Sequence, residues 1–243
     1  MNCPLKMIMS TIAHNLQAVD ASIRAAASAA GRPRADVQLL AVSKTFPPEA
    51  VLEAIGAGQL AFGENYLQEA LDKIAAVSLA LPGRLVEWHF IGPIQSNKTR
   101  PIAASFDWVH TVDRLKIAQR LSEQRPQDCA PLDICLQVNI SGEASKSGVA
   151  PDDLPELARL VAQLPRLRLR GLMAIPEPEA DEARQRAAFA RVRTLFEALN
   201  ADGMALDTLS MGMSADLGAA VAEGATIVRV GSAIFGARTY DPQ

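Results

Sequence analysis

Three short stretches of the sequence carry residue types able to do covalent or anion-binding chemistry. The first is Leu39-Leu40-Ala41-Val42-Ser43-Lys44-Thr45-Phe46-Pro47-Pro48. It opens as an apolar run, the pattern of a strand buried on both faces. It closes at a Pro-Pro pair, where a strand must stop and a helix can begin. One charge, Lys44, stands between. An ammonium at the end of a buried strand is costly to desolvate, which pulls its pKa down from about 10.4 toward the free amine. Such an amine can attack a carbonyl and form a Schiff base. Taken alone, Lys44 reads more simply as a lysine snorkelling to solvent. The second and third stretches are Met211-Gly212-Met213-Ser214 and Gly231-Ser232, each placed where a helix begins. Helix N-termini present unpaired N–H groups and a positive dipole end, which suits a phosphate. Ser214 by itself serves equally as an ordinary N-cap; its pairing with Gly231-Ser232 favours the phosphate.

The elements that must position these residues alternate along the chain. Residues 7–30 predict a helix, with Ile8, Ile12, Leu16, Val19 and Ile23 at helical spacing and Gly31 and Pro33 as its stop. Strands are predicted at 37–42, 59–62, 87–91, 108–111, 132–138, 167–173, 206–210 and 226–230. Helices follow at 48–57, 66–77, 97–104 (weakened by Pro101), 113–124 (with Asp113 as an acidic cap), 152–163, 181–200 and 215–223. Connections are short and no linker divides the chain. Strands alternating with helices imply a parallel sheet, and eight such units in about 250 residues make a closed (β/α)8 TIM barrel. The predicted fold is therefore α/β, one barrel domain over residues 1–243 with an extra N-terminal helix. An open doubly wound sheet would carry a glycine fingerprint in its first turn, and Val42-Ser43-Lys44-Thr45-Phe46 has no glycine.

In a barrel of this kind the strand ends share one mouth. Lys44, Asn65, His89, His110, Asn139, Met173, Ser210 to Ser214 and Arg229 to Ser232 all fall at predicted strand ends. The loops after strands seven and eight form the recurrent phosphate site of the fold. A lysine facing that site across the mouth calls for a phosphorylated aldehyde, of which pyridoxal 5'-phosphate is the common one. Arg229, beside the phosphate loop, would meet the ring nitrogen. An arginine cannot accept the pyridinium proton, so the ring would be a weak electron sink. A structural ion pair is the alternative role for Arg229.

Composition excludes several classes. The net charge of -3 gives no footprint for nucleic acid or an anionic membrane. No apolar run approaches a membrane span, and the N-terminus lacks an export signal. Cys3, Cys129 and Cys135 lack metal spacing and fit reduced thiols in the cytoplasm. With three histidines and neither His-x-x-x-His nor Cys-x-x-Cys, no catalytic zinc site is expected.

The ordered motifs resemble those of the pyridoxal phosphate homeostasis proteins, the YggS/PROSC family. Leu40-Ala41-Val42-Ser43-Lys44-Thr45 matches its cofactor-lysine motif. Phe62-Gly63-Glu64-Asn65-Tyr66, Trp88 to Lys98, Val138-Asn139-Ile140 with Ser145 to Gly148, Arg170 to Pro176, Leu209 to Asp216 and Val228 to Gly236 match the remaining blocks, in order, over nearly the whole chain. The resemblance implies a barrel like the N-terminal domain of alanine racemase, with Lys44 as the Schiff-base lysine. It implies Ser214, Gly231 and Ser232 at the phosphate and Arg229 near the pyridine nitrogen. Asn65 is the best candidate for a contact to Lys44 or the ring, and Met173 and Ser210, at strand ends, are the remaining cofactor-site candidates. The resemblance also implies a monomeric or weakly associated regulator or carrier in vitamin B6 and amino-acid homeostasis, with apo-enzymes as acceptors of the cofactor.

A racemase is the competing expectation. It needs a base on each face of the cofactor, and the relatives that racemise take the second from a tyrosine in a further C-terminal domain. Only Tyr66 and Tyr240 occur here, and the chain ends at Gln243, so buffering or delivery of the cofactor is preferred. Among the other polar residues, His89 reads as a core histidine as readily as a functional one. Lys98 and Lys146 are each either a second amine near the site or a surface lysine. The run 177–186 is a solvated helix start.

Overall fold

The computed structural model describes residues 10–142 and 147–237. Eight strands, β1 (Gln38–Val42), β2 (Ala61–Glu64), β3 (Glu87–Phe90), β4 (Trp108–Val112), β5 (Leu132–Gln137), β6 (Leu167–Met173), β7 (Thr208–Ser210) and β8 (Ile227–Val230), are all parallel and close into a barrel in chain order. β8 returns to β1 with Leu40 opposite Arg229. The helices are α1 (Thr11–Ala29), α2 (Pro48–Gly56), α3 (Leu67–Ala80), α4 (Thr99–Ser105), α5 (Leu115–Gln124), α6 (Leu154–Ala162), α7 (Glu182–Ala201), α8 (Leu217–Ala222) and α9 (Ser232–Phe235). No helix among the described residues is long and apolar enough to cross a membrane.

The period-two alternation of a strand sorts the side chains. Leu39, Ala41, Phe62, Trp88, Val109, Ile134, Leu172 and Val228 belong to the large core under the helices. The alternate positions fill the barrel interior in two parts. Leu40, Val42, Ala61, Ile91 and Ile227 make one apolar group, and Trp108, Cys135 and Met173 another. Between them the interior carries polar side chains, buried His89, His110, Ser210 and Arg229.

Several boundaries differ from the sequence expectation, each for a local reason. β2 begins two residues later than predicted, because Gln59 spends its amide on the carbonyls of Leu39 and Ala61 at 2.9 and 2.7 Å. Gly63 then lies inside the strand, where a Cβ would come within 3.1 Å of Ile91 Cδ1. Asp113 does not cap a helix: β4 stays extended to Val112, Arg114 is the N-cap residue, and Asp113 pairs with Arg114 at 2.7 Å. Pro101 fits α4 because it lies in the first turn, where N–H groups have no intrahelical partner anyway. α1 is capped by Ser10, whose hydroxyl accepts from Ala13 N–H at 3.2 Å. Residues 7–9 of its predicted span, with Ile8, lie outside the described residues, as do Cys3, Ser145, Lys146 and Tyr240.

Candidate functional site

Lys44 follows β1 on a turn that is held from behind. Thr45 has φ 69°, a left-handed conformation that a β-branched residue adopts only under constraint. The constraint is Glu69, whose Oε1 accepts from Thr45 N–H at 2.6 Å. The same oxygen accepts from Lys73 Nζ at 3.0 Å. Lys73, 1% exposed, also donates to Ser43 O at 2.8 Å and to buried Glu64, which in turn accepts from Ser43 Oγ at 2.6 Å. Burial pushes the Glu64 carboxyl above its ordinary pKa, against the pull of Lys73. Sequence reasoning missed this cluster, since a lysine and a glutamate four apart on an amphipathic helix read as a solvated pair.

On the other side of the mouth, Gly212 has φ +93°, and a Cβ there would sit 2.5 Å from Ala220 Cβ, so only glycine lets the loop after β7 lie on α8. α8 begins at Leu217, not at Ala215. Ser214 therefore lies in the preceding turn and is not the N-cap; Asp216 takes that place, and its carboxylate accepts from Met213 N–H at 2.6 Å. The loop after β8 passes Gly231 into α9, as expected. α9 is pinned by Asn15 of α1, which donates to Ile234 O at 2.8 Å, and by the Phe46–Phe235 ring contact at 5.2 Å. Among the described residues, the N–H groups of Ser214, Ala215, Gly231 and Ser232 donate to no backbone carbonyl.

Arg229 points inward from β8. Its Nη1 donates to Ser210 O at 2.6 Å and Ser210 Oγ at 2.9 Å, and Nη2 donates to Ala174 O at 3.0 Å. Its partners are a hydroxyl and carbonyls rather than a carboxylate, so the ion-pair alternative fails. Burial pushes its pKa down to about 10, still a cation at neutral pH.

These residues meet at the C-terminal end of the barrel in a cavity of about 310 Å³, lined by Lys44, Asn65, Ser214, Ala215, Arg229, Gly231 and Ser232, with Val42, Ile91, Ile175 and Met213 as its apolar walls. Asn65 reaches it because Gly92 has no side chain: a Cβ there would come within 2.1 Å of Asn65 O. The Asn65 Oδ1 is buried without a hydrogen-bond partner. Among the described residues, no carboxylate lines the cavity. An amine, a guanidinium and free N–H donors around one small space suit an anionic carbonyl compound.

Two predicted cofactor residues lie elsewhere. Met173 is fully buried among the barrel residues Trp108 and Cys135, and Ser210 sits beneath Arg229 rather than on the cavity. His89 and His110 are also interior, not at the mouth, because both belong to strand bodies rather than strand ends. Lys98 is exposed in a one-turn 3-10 helix, Ser96–Lys98, away from the cavity lining.

The chain matches the family model described as alanine racemase, N-terminal domain, over residues 14–239. It is 68% identical over 232 residues to the pyridoxal phosphate homeostasis protein of Pseudomonas aeruginosa, covering 96% of this chain and 98% of that one. With the protein of that name from Escherichia coli K12 it shares 54% identity over 233 residues, 96% of this chain and 99% of that one. The solved structure of PipY from Synechococcus elongatus with PLP bound superposes with a TM-score of 0.81 at 39% identity, covering 93% of this chain and 100% of that one. The barrel and these identities together place the chain in the pyridoxal phosphate homeostasis protein family, built on the alanine racemase N-terminal-domain fold.

Proposed function

We propose that this protein binds pyridoxal 5'-phosphate covalently through Lys44 and serves PLP homeostasis by holding and delivering the cofactor. The observation that carries the reading is the cavity itself. Lys44, Arg229 and the N–H groups of Ser214, Ala215, Gly231 and Ser232, which donate to no backbone carbonyl, line one small space, with no carboxylate among the described residues of its lining. When bound, PLP supplies an aldehyde that condenses with an amine and a ring that delocalises charge. The fit is supported by the chemistry of the donors: Ser214, Gly231 and Ser232 offer N–H groups to a phosphate. Arg229 offers the ring nitrogen a hydrogen bond and cannot take its proton. Asn65, which lines the cavity, carries a buried amide oxygen without a hydrogen-bond partner. Ile175 and Met213 flank the cavity with apolar surface suited to a ring face.

Holding is favoured over racemisation. Among the described residues lining the cavity, no acid–base side chain accompanies the Lys44 amine, and a racemase needs a base on each face. The name shared by the relatives points the same way. Apo-enzymes are the natural acceptors, and a single barrel acting as a monomer leaves the mouth free for exchange. The free thiols Cys129 and Cys135 fit the reducing cytoplasm.

Borohydride treatment of the yellow protein should fix the cofactor on the peptide containing Lys44, and Lys44→Ala should abolish the adduct. An unchanged adduct in Lys44→Ala would sink the assignment. Racemisation of alanine, serine and glutamate by the loaded protein, measured beside transfer of PLP to an apo-enzyme, separates holder from enzyme. Robust turnover would reverse the reading.

A further inference from the structure

Arg229 is the inner end of a chain of polar side chains that crosses the barrel interior. Its Nη1 donates to Ser210 Oγ at 2.9 Å. Ser210 Oγ lies 2.7 Å from His110 Nδ1, and His110 Nε2 lies 2.9 Å from His89 Nδ1. His89 Nε2 stands 3.1 Å from Glu87 Oε2, an electrostatic contact outside good hydrogen-bond alignment. Glu87 begins β3, so it lies at the opposite mouth of the barrel. There its Oε2 also accepts from Gln38 at 2.8 Å and its Oε1 from Trp108 Nε1 at 2.9 Å. It lines a lower cavity with Asp107, Trp108 and Arg168 and does not line the upper one.

The partners assign every proton in this chain. A guanidinium only donates, so Ser210 Oγ is its acceptor, and the serine O–H turns to His110 Nδ1. The reverse arrangement would leave that hydroxyl proton buried without an acceptor among the described residues. His110 then carries its proton on Nε2 and donates to His89 Nδ1. His89 in turn carries its proton on Nε2, facing Glu87. Burial and the Arg229 cation both keep His110 neutral. The three hydrogen bonds point the same way, away from the buried cation and toward the carboxylate, and such aligned chains polarise one another.

We propose that Glu87, His89, His110 and Ser210 are positioning residues for Arg229: the carboxylate at the lower mouth holds both histidines as Nε2–H tautomers, which leaves Ser210 Oγ an acceptor and fixes the guanidinium on the upper cavity. The relay thereby couples the two mouths of the barrel. Its effect on cofactor rests on the reading of Arg229 as the ring nitrogen's partner, but the tautomers do not.

The test uses the full chain without cofactor, labelled with 15N-histidine. Both interior rings should show a pyrrole-type Nε2 and a pyridine-type Nδ1. Glu87→Ala should abolish that pattern, while Leu85→Ser, on the same lower rim and 87% exposed, should leave it intact. His110 found with its proton on Nδ1, or the pattern unchanged in Glu87→Ala, overturns the relay. With PLP loaded, Glu87→Ala should also release it about tenfold faster and shift its visible band, although Glu87 does not line the upper cavity. Unchanged release and spectrum in a variant that had lost the tautomers would likewise overturn the positioning role. A wild-type chain that showed the tautomers but retained no PLP would support the relay and sink the cofactor reading.

Discussion

Replacing Lys73 by methionine tests whether the buried cluster behind Lys44 holds the turn. The substitution keeps the length and apolar stem of the side chain and deletes its charge. It leaves Glu64, fully buried, without its cation, and Ser43 O with one donor, Phe46 N–H, in place of two. Removing one partner of a buried ion pair costs about 3–5 kcal/mol. The lower end applies here, because burial already favours the protonated form of Glu64, which gives the carboxyl a way to shed its charge. About 3 kcal/mol in a chain of 243 residues lowers Tm by roughly 6–12 °C. The loss should also depend on pH. A carboxyl whose folded pKa is raised contributes stability below its unfolded pKa and loses it as pH rises. Without Lys73 the pKa rises further, so Lys73→Met should be damaged less at pH 5 than at pH 8. Glu64→Gln in the same chain should recover most of the loss. Thermal denaturation at the two pH values reads all three. A Tm drop below 2 °C, or a larger drop at pH 5, would refute the reasoning. The functional consequence follows through Thr45: with Glu69 released from Lys73, the left-handed turn loosens and PLP capture by Lys44 should weaken, read by spectral titration.

The remaining predictions concern other supports of the site. Glu87, held at about 2 chiefly by its close contact with His89, contributes stability above pH 4.5 that fades as pH falls toward 2. After discounting for its partial exposure, Glu87→Gln should cost about 1–2 kcal/mol at pH 7 and nearly nothing near pH 2, read by denaturant titration. Gly212→Ala forces a Cβ to 2.5 Å from Ala220 Cβ at a positive φ, and should cost about 1–3 kcal/mol and weaken PLP retention together. Asn15→Ala removes the tie from α1 to α9, and should cost about 1 kcal/mol and speed PLP release by displacing the loop at Gly231.

The barrel was legible because parallel strands buried on both faces are written as apolar runs between short turn signals, as in Leu39 to Val42 and Leu132 to Leu136. The residues of the cavity were legible for a related reason. Lys44, Arg229 and the Gly231-Ser232 pair each interrupt or end such a run, and a barrel sends all strand ends to one mouth. Errors of one or two residues at β2 and α8 came from treating Gly63 and Ser214 as terminators. Gly63 is instead a packing residue inside a strand, and Ser214 belongs to the turn before its helix.

What the sequence concealed was the inner face of the strands. His89 and His110 stand two positions into their runs, and nothing in the spacing says that their rings meet across the β3–β4 boundary or that Ser210, 100 residues away, receives the second ring. Those contacts depend on barrel closure, which brings β4, β7 and β8 around one axis. The same closure explains why Arg229 survives burial. A cation there would ordinarily demand a carboxylate neighbour. Here two carbonyls and a hydroxyl take its protons, the Asp216 carboxylate in the loop after β7 supports its charge without touching it, and Glu87 stands at the far mouth, at the end of the polar chain. Among the described residues, that arrangement keeps carboxylates off the cavity lining, where a phosphate would sit, while Asp216 supports the guanidinium's charge from outside it. A carboxylate placed directly beside Arg229 would satisfy the cation more simply, yet it would bring negative charge up against the anion the cavity is shaped to hold.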